Sequence, residues 1–162
     1  MADIVTPEKR SQMMAGIRGK DTKPEILIRK ALFARGWRYR LHDRRLPGKP
    51  DLVFPRLRAV VFVDGCFWHG HQCHLFKTPS SRVDFWIEKI GRNRERDREV
   101  RKKLDELGWR HLTVWECALK GRTRLPIINV IDSVARWLES GDGSAEIEGG
   151  NDGAGRPVKL DG

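Results

Sequence analysis

Residues 66–73 read Cys-Phe-Trp-His-Gly-His-Gln-Cys, and the chain's third cysteine follows at Cys117. Zinc binds thiolate sulfur and imidazole nitrogen in a tetrahedral shell, and a shell filled by four protein ligands is structural rather than catalytic. Cys66, His71, Cys73 and Cys117 supply such a set. A shared ion would require Cys117 to fold back onto the 66–73 loop, fixing that loop and presenting Phe67 and Trp68. Two alternatives stand beside this reading. Free cysteines also pack as small hydrophobes, and His69 and His74 compete with His71 for the fourth position.

The 162 residues suggest one domain with a sizeable core. Formal net charge is +10. The glycine-rich residues 140–162 carry five acids and two bases, so the rest of the chain stands near +13. A surplus of that size implies a polyanionic partner, with nucleic acid ahead of anionic membrane. No apolar run reaches the ~18 residues of a membrane span, and the N-terminus lacks a signal-peptide pattern, so neither a span nor export is expected. Three cysteines in ligand-like positions suit a reducing cytoplasm better than a disulfide framework.

Patterning predicts three regions: a basic arm over residues 1–21, a folded domain over 22–139, and a disordered glycine-rich tail over 140–162. Thr22-Lys23-Pro24-Glu25 resembles a capping box opening a helix whose apolar stripe is Ile26, Leu27, Ile28, Leu32 and Phe33, ending at Gly36. Trp37, Tyr39 and Leu41 alternate with Arg38 and Arg40 as on a half-buried strand. Asp51 to Phe54 reads as a second strand. Ala59 to Val63, apolar throughout, reads as a central strand buried on both faces. After the cysteine loop a long helix is expected over 83–107, with Ile87, Ile90, Val100, Leu104 and Leu107 inward; a strand over 109–115 and a helix over 126–139 follow. The core order α-β-β-β-α-β predicts an α/β fold, a mixed sheet flanked by helices. Within the long helix, Arg92 to Lys103 holds seven bases and three acids and reads chiefly as a solvated face.

Two acids stand where chemistry would need them. Asp51 opens the second strand after Pro47-Gly48-Lys49-Pro50, and Asp64 ends the third. Paired as a hairpin, these strands would bring the two carboxylates to one edge of the sheet. Carboxylates in a basic protein suit Mg²⁺, which takes oxygen ligands, polarises a phosphoryl oxygen and activates water. Glu25 and His69 are further candidates for holding or deprotonating that water. Each residue also has a plain structural reading. Asp51 and Asp64-Gly65 fit turns, Glu25 can close the capping box, and His69 can ligate zinc.

At these residues the chain resembles the very-short-patch mismatch-repair endonucleases, the Vsr family. The matching text is Arg10-Ser11, Met14, Thr22 with Glu25, Leu46-Pro47-Gly48-Lys49-Pro50-Asp51, Gly65-Cys66-Phe67-Trp68-His69, His71, Cys73, Phe85-Trp86, Glu88-Lys89-Ile90, Asn93, Arg96-Asp97, Leu107-Gly108-Trp109 and Val114-Trp115-Glu116-Cys117. The resemblance implies a restriction-endonuclease-like core and a Mg²⁺-dependent nick 5′ of the T in T:G mismatches left by deamination of 5-methylcytosine. It implies Asp51 as principal metal ligand with the Val63 backbone carbonyl, and Glu25 and His69 assisting through water. It implies structural zinc on Cys66, His71, Cys73 and Cys117. Phe67, Trp68 and Trp86 would wedge into the base stack, and the N-terminal arm would close on the opposite groove. One departure stands out. The family's Thr-His pair after the third strand is replaced here by Val63-Asp64, so Asp64 becomes a candidate Mg²⁺ ligand, direct or through water.

The expected partner is double-stranded DNA bound by a monomer, in the bacterial cytoplasm at the nucleoid, with mismatch-repair proteins as candidate further partners. Two other readings use the same residues: a zinc-stapled DNA-binding protein without catalysis, and a restriction-associated nuclease without mismatch preference.

Overall fold

The computed structural model describes residues 22–77 and 79–150, together with the backbone of 159–160. The expected N-terminal arm lies outside these residues. Helix α1 spans Lys23–Ala34. Thr22 caps it, its hydroxyl accepting the Glu25 N–H at 3.4 Å. The exit closes on Gly36 at φ +96°, with the Trp37 N–H returning to the Leu32 carbonyl at 3.0 Å. That left-handed step costs glycine little. The buried line of α1 is Glu25, Ile28 and Leu32. Leu27 and Phe33, expected inward, are exposed, and the Arg38 guanidinium covers the Phe33 ring at 3.7 Å. Glu25 takes an inward position that the apolar pattern had assigned to its neighbours.

A mixed sheet follows in the order β1-β2-β3-β4-β5-β6. Strand β1 (Arg40–Leu41) is shorter than the alternation predicts. Trp37 and Tyr39 are not part of it; they set their rings edge-on against Phe54, each at 5.9 Å. Strands β2 (Leu52–Phe54) and β3 (Ala59–Asp64) form an antiparallel hairpin with Leu52 opposite Val61. The long helix α2 (Val83–Glu106) then crosses to β4 (Arg110–Trp115), which lies parallel to β3. Helix α3 (Ile127–Ser140) follows.

Strand β3 is the fold's centre, as its apolar run implies. Its alternate residues serve two cores. Ala59 and Val61 face one with Ile28, Leu32, Val130, Ile131, Val134 and Leu138, so α1 and α3 cover that side. Val60 and Phe62 face the other with Leu104 and Val100 of α2. Truncating a fully buried member such as Leu104 to Ala costs ~2–5 kcal/mol. Ile87 and Leu107 are exposed rather than inward. Helix α2 meets the sheet along Val100 and Leu104 and meets the cysteine loop at Ile90.

The expected disordered tail is corrected over its first part. Ala145–Ile147 forms β5, parallel to β4, with Ala145 and Ile147 buried. Lys159–Leu160 pairs antiparallel with β5 as β6. Composition points to disorder because the segment has few apolar residues; two suffice here, since only one face of a three-residue strand needs covering. The register Asp64↔Trp115 ends β3 and β4 side by side. Both next lead into cysteines, Cys66 and Cys117, at the carboxyl ends of parallel strands, where open α/β sheets place ligands.

Candidate active site and metal centre

Cys66, His71, Cys73 and Cys117 each turn one ligand atom into a common space, all within 4.8 Å of one another. The structure thus brings together the four residues that spacing selected, and it turns the rival histidines elsewhere: His69 Nδ1 to Asp97 at 2.5 Å, His74 Nδ1 to Thr123 at 3.3 Å. His71 offers Nδ1 inward, 3.6 Å from Cys117 Sγ. Its Nε2 meets Glu148 at 3.1 Å, and its ring stacks on Trp115 at 4.2 Å. An outer partner of this kind fixes the tautomer of a ligating imidazole. The Gly149 N–H donates to Cys117 Sγ at 3.2 Å, and Glu116 accepts the Cys66 N–H at 3.2 Å. Hydrogen bonding from Cys66 holds the Cys117 thiol down to about 4 against its burial, with His71 and Gly149 assisting; the same bond pushes Cys66 up. The set is competent to hold a soft or borderline metal. Sequence reading had missed Glu148 and Gly149, because they belong to the stretch assigned to a disordered tail.

The acid and histidine candidates do not form one cluster. Glu25 and Asp51 come together with His42, a residue the sequence analysis did not select. Asp51 stands opposite the end of β3 and accepts the Val63 N–H at 2.7 Å. The turn before it is fitted closely to α2: Gly48 sits at φ +77°, and a Cβ there would meet Val100 at 2.5 Å. Glu25, almost fully buried, receives Arg29 Nη1 and lies against His42 Nε2, both at 2.8 Å from Oε2. A buried carboxylate needs such partners. Asp51 is pushed up to about 8, first by burial, then by the charges of Asp64 and Glu25 and a hydrogen bond with Glu25, against the pull of the Val63 N–H.

Asp64 and His69 belong to a second group with Asp97 of α2. His69 Nε2 lies 3.7 Å from Asp64 Oδ1. Arg101 reaches Asp64 Oδ2 at 3.2 Å and Thr113 Oγ1 at 2.7 Å. Burial lowers the proton affinity of His69, but Asp64 and Asp97 outweigh it and the net shift is upward. Asp64 is therefore held between Arg101 and His69 and acts on Asp51 through its charge. Asp97 and Arg101 were hidden in a helix that reads as a solvated basic face. Their turn of α2 faces the sheet, one turn from Val100 and Leu104.

Phe67, Trp68 and Trp86 form a mutual edge-to-face cluster with centroids 5.3–5.6 Å apart. Phe76 stacks on Phe67 at 5.9 Å, and Phe85 adds its edge to Trp86 at 5.2 Å. Phe67, Trp68 and Trp86 are half-buried and belong to none of the buried cores. The loop under them is pinned to α2, with Asn93 donating to the Trp68 carbonyl at 2.9 Å.

The family model described as DNA mismatch endonuclease Vsr matches residues 2–75. The DNA mismatch endonuclease Vsr of Escherichia coli (strain K12) is 45% identical over 148 residues, covering 91% of this chain and 95% of the relative. The type II nicking enzyme V.NmeAIP of Neisseria meningitidis serogroup A is 49% identical over 75% of this chain and 87% of its own length. The type II nicking enzyme V.XorIIP of Xanthomonas oryzae pv. oryzae is 45% identical over 82% and 98%. With relatives matched at this identity over nearly their whole length, and with the mixed sheet, the Cys/His cluster and the paired acids in place, the chain belongs to the Vsr family of DNA mismatch endonucleases.

Proposed function

We propose that this protein is a divalent-metal-dependent endonuclease that nicks one DNA strand 5′ of the T in T:G mismatches, the lesion left when 5-methylcytosine deaminates. The observation that carries this reading is that Asp64 links two groups: its charge bears on Asp51 of the Glu25–Asp51 acid pair, and it lies 3.7 Å from His69 of the His69–Asp97 dyad, whose loop bears the half-exposed aromatic cluster. The core is of restriction-endonuclease type, with the acids at the carboxyl edge of the hairpin.

The donor set fits a hard divalent cation. Burial first, and then the neighbouring charges of Asp64 and Glu25, raise the proton affinity of Asp51, an electrostatic demand that a cation satisfies. Asp51, Glu25 and the Val63 carbonyl would hold Mg²⁺, with Asp64 acting through water. Such an ion supplies Lewis-acid polarisation of a phosphoryl oxygen and a more acidic water. Asp97 fixes the His69 ring through Nδ1 and leaves Nε2 turned toward Asp64, where it can give or take a proton. Cys66, His71, Cys73 and Cys117 hold structural zinc, which sets the loop bearing Phe67 and Trp68. These side chains, with Trp86, wedge beside the mismatch, where an already strained pair lowers the unstacking cost of a few kcal/mol. Residues 1–21 close on the opposite groove. Among the described residues no helix is long and apolar enough to cross a membrane; the partner is duplex DNA, bound by a monomer at the bacterial nucleoid, with mismatch-repair proteins as further partners.

Nicking of end-labelled T:G and C:G duplexes, with and without Mg²⁺, tests the reading. Mg²⁺-dependent cleavage of the T strand at T:G alone is expected. Equal cleavage of both duplexes would indicate a restriction-associated nuclease, and binding without cleavage a non-catalytic DNA-binding protein.

A further inference from the structure

We infer that His42 is a third protein ligand of the cation site at Asp51 and Glu25, making it a mixed imidazole–carboxylate site that favours first-row transition ions over Mg²⁺. The inference rests on the reading of Asp51 and Glu25 as the cation site and adds a ligand and a metal preference to it.

The first argument is distance. His42 Nε2 lies 2.8 Å from Glu25 Oε2 and 3.8 Å from Asp51 Oδ1. An octahedral ion with bonds of ~2.1 Å sets adjacent ligand atoms ~3.0 Å apart and opposite ones ~4.2 Å apart. Both separations lie within or close to that span, so small side-chain movements bring all three atoms onto one ion.

The second argument is that the backbone is committed to this placement. His42 sits at φ +49°, a left-handed conformation that costs a residue with a Cβ. Its N–H donates to the Asp51 carbonyl at 3.2 Å, tying the turn after β1 to the residue that opens β2. The imidazole side chain is 16% exposed, facing the acids rather than solvent. Three separate segments, α1, the turn after β1 and the start of β2, thus converge on one point.

The third argument is charge and chemistry. Arg29 already takes part of the Glu25 charge at Oε2. A neutral imidazole adds a strong donor atom without adding a third negative charge to a crowded pair. Ligation requires the proton on Nδ1 and the lone pair on Nε2, a tautomer that imidazole adopts readily. Mg²⁺ prefers an all-oxygen shell with several waters, whereas imidazole suits the transition ions.

The test uses the full zinc-loaded chain without DNA, with Mn²⁺ as the probe. Pulsed electron paramagnetic resonance of bound Mn²⁺ reads directly bonded ¹⁴N. The wild type is expected to show imidazole coupling. His42→Gln should lose it and weaken Mn²⁺ at least ~10-fold, with a smaller change in Mg²⁺ affinity and the same zinc content. His69→Gln should keep the coupling. Mn²⁺ that binds the wild type in an Asp51-dependent manner without ¹⁴N coupling would overturn the role of His42 and leave the cation site standing. So would coupling that persists in His42→Gln. Binding unaffected by Asp51→Asn would instead defeat the reading of the site itself. Because the wild-type spectrum alone shows whether nitrogen is bonded, the inference stays testable if a variant folds poorly; His42→Asn, with a shorter amide, then replaces His42→Gln.

Discussion

Two clusters lie at the same end of the sheet and are built on opposite principles. The Cys/His cluster is closed: four ligand atoms converge, and Glu148, Gly149, Glu116 and the Trp115 ring occupy the shell around them. The Glu25–His42–Asp51 cluster is electrostatically unfinished. Burial pushes Asp51 up to about 8, and the charges of Asp64 and Glu25 add to it against the pull of the Val63 N–H. A closed set stabilises the fold; an unbalanced set at a strand edge is a place where a ligand is needed, and perturbed acids gather at such places. The fold places the first kind of site where it can hold a loop still beside the second.

Disrupting the closed cluster should have the largest effect. Cys117→Ala, or a strong chelator, is expected to remove folding free energy on the order of 10 kcal/mol, seen as lost zinc and a collapsed thermal transition. A folded, chelator-resistant Cys117→Ala protein would erase the contrast. Asp51→Ala should do the reverse: nicking falls by ~10³-fold or more, the equivalent of several kcal/mol of lost electrostatic stabilisation, while DNA binding and zinc content persist. A filter-binding assay run beside the cleavage assay separates the two.

The third prediction sharpens the comparison through pH. The folded Asp51 value near 8 lies above the ordinary 3.8, so between these limits the folded state holds the extra proton. Metal-free protein should therefore lose stability as pH rises from about 4 to 8 and then level off. At ~1.36 kcal/mol per pH unit the ceiling is ~6 kcal/mol, and relaxation of the site reduces it to a few. Divalent metal should flatten the slope and Asp51→Asn should abolish it; an unchanged slope in Asp51→Asn would place the titration elsewhere. Urea melts across pH, with and without Mg²⁺, measure this.

Smaller effects belong to the surroundings. Trp68→Ala should weaken T:G binding by ~1–3 kcal/mol more than binding to matched duplex. Equal losses on both would make the aromatic cluster mere packing. Asp64→Asn, which removes a charge already shared by Arg101 and His69, should raise the Mg²⁺ needed for half-maximal nicking only a few-fold. A larger rise would move Asp64 into direct contact with the ion.

Much of this was legible before any coordinates. Coordination chemistry names its residue types, so three cysteines and a histidine announce their cluster; the apolar run 59–63 announces a strand covered on both faces; the Pro-Gly-Lys-Pro-Asp turn announces an acid at a sheet edge. Less legible was anything decided by which way a side chain points. Ile87 and Leu107 fit the period of a buried stripe and are exposed, whereas Asp97 and Arg101, set among bases, turn toward the sheet. The acid and histidine candidates, read as one constellation, separate into two.

The sequence by itself determined the ligand chemistry, the order of the core elements and the family. Those are carried by residue type, local spacing and periodicity, which survive in one dimension. Tertiary structure decided the rest. The register Asp64↔Trp115 brought Cys117 to Cys66, β5 carried Glu148 and Gly149 to the Cys/His cluster, and the turn after β1 swung His42 onto Glu25. Each of these depends on strand pairing and side-chain direction across segments remote in the chain, where shifting the register by one residue turns every side chain to the opposite face.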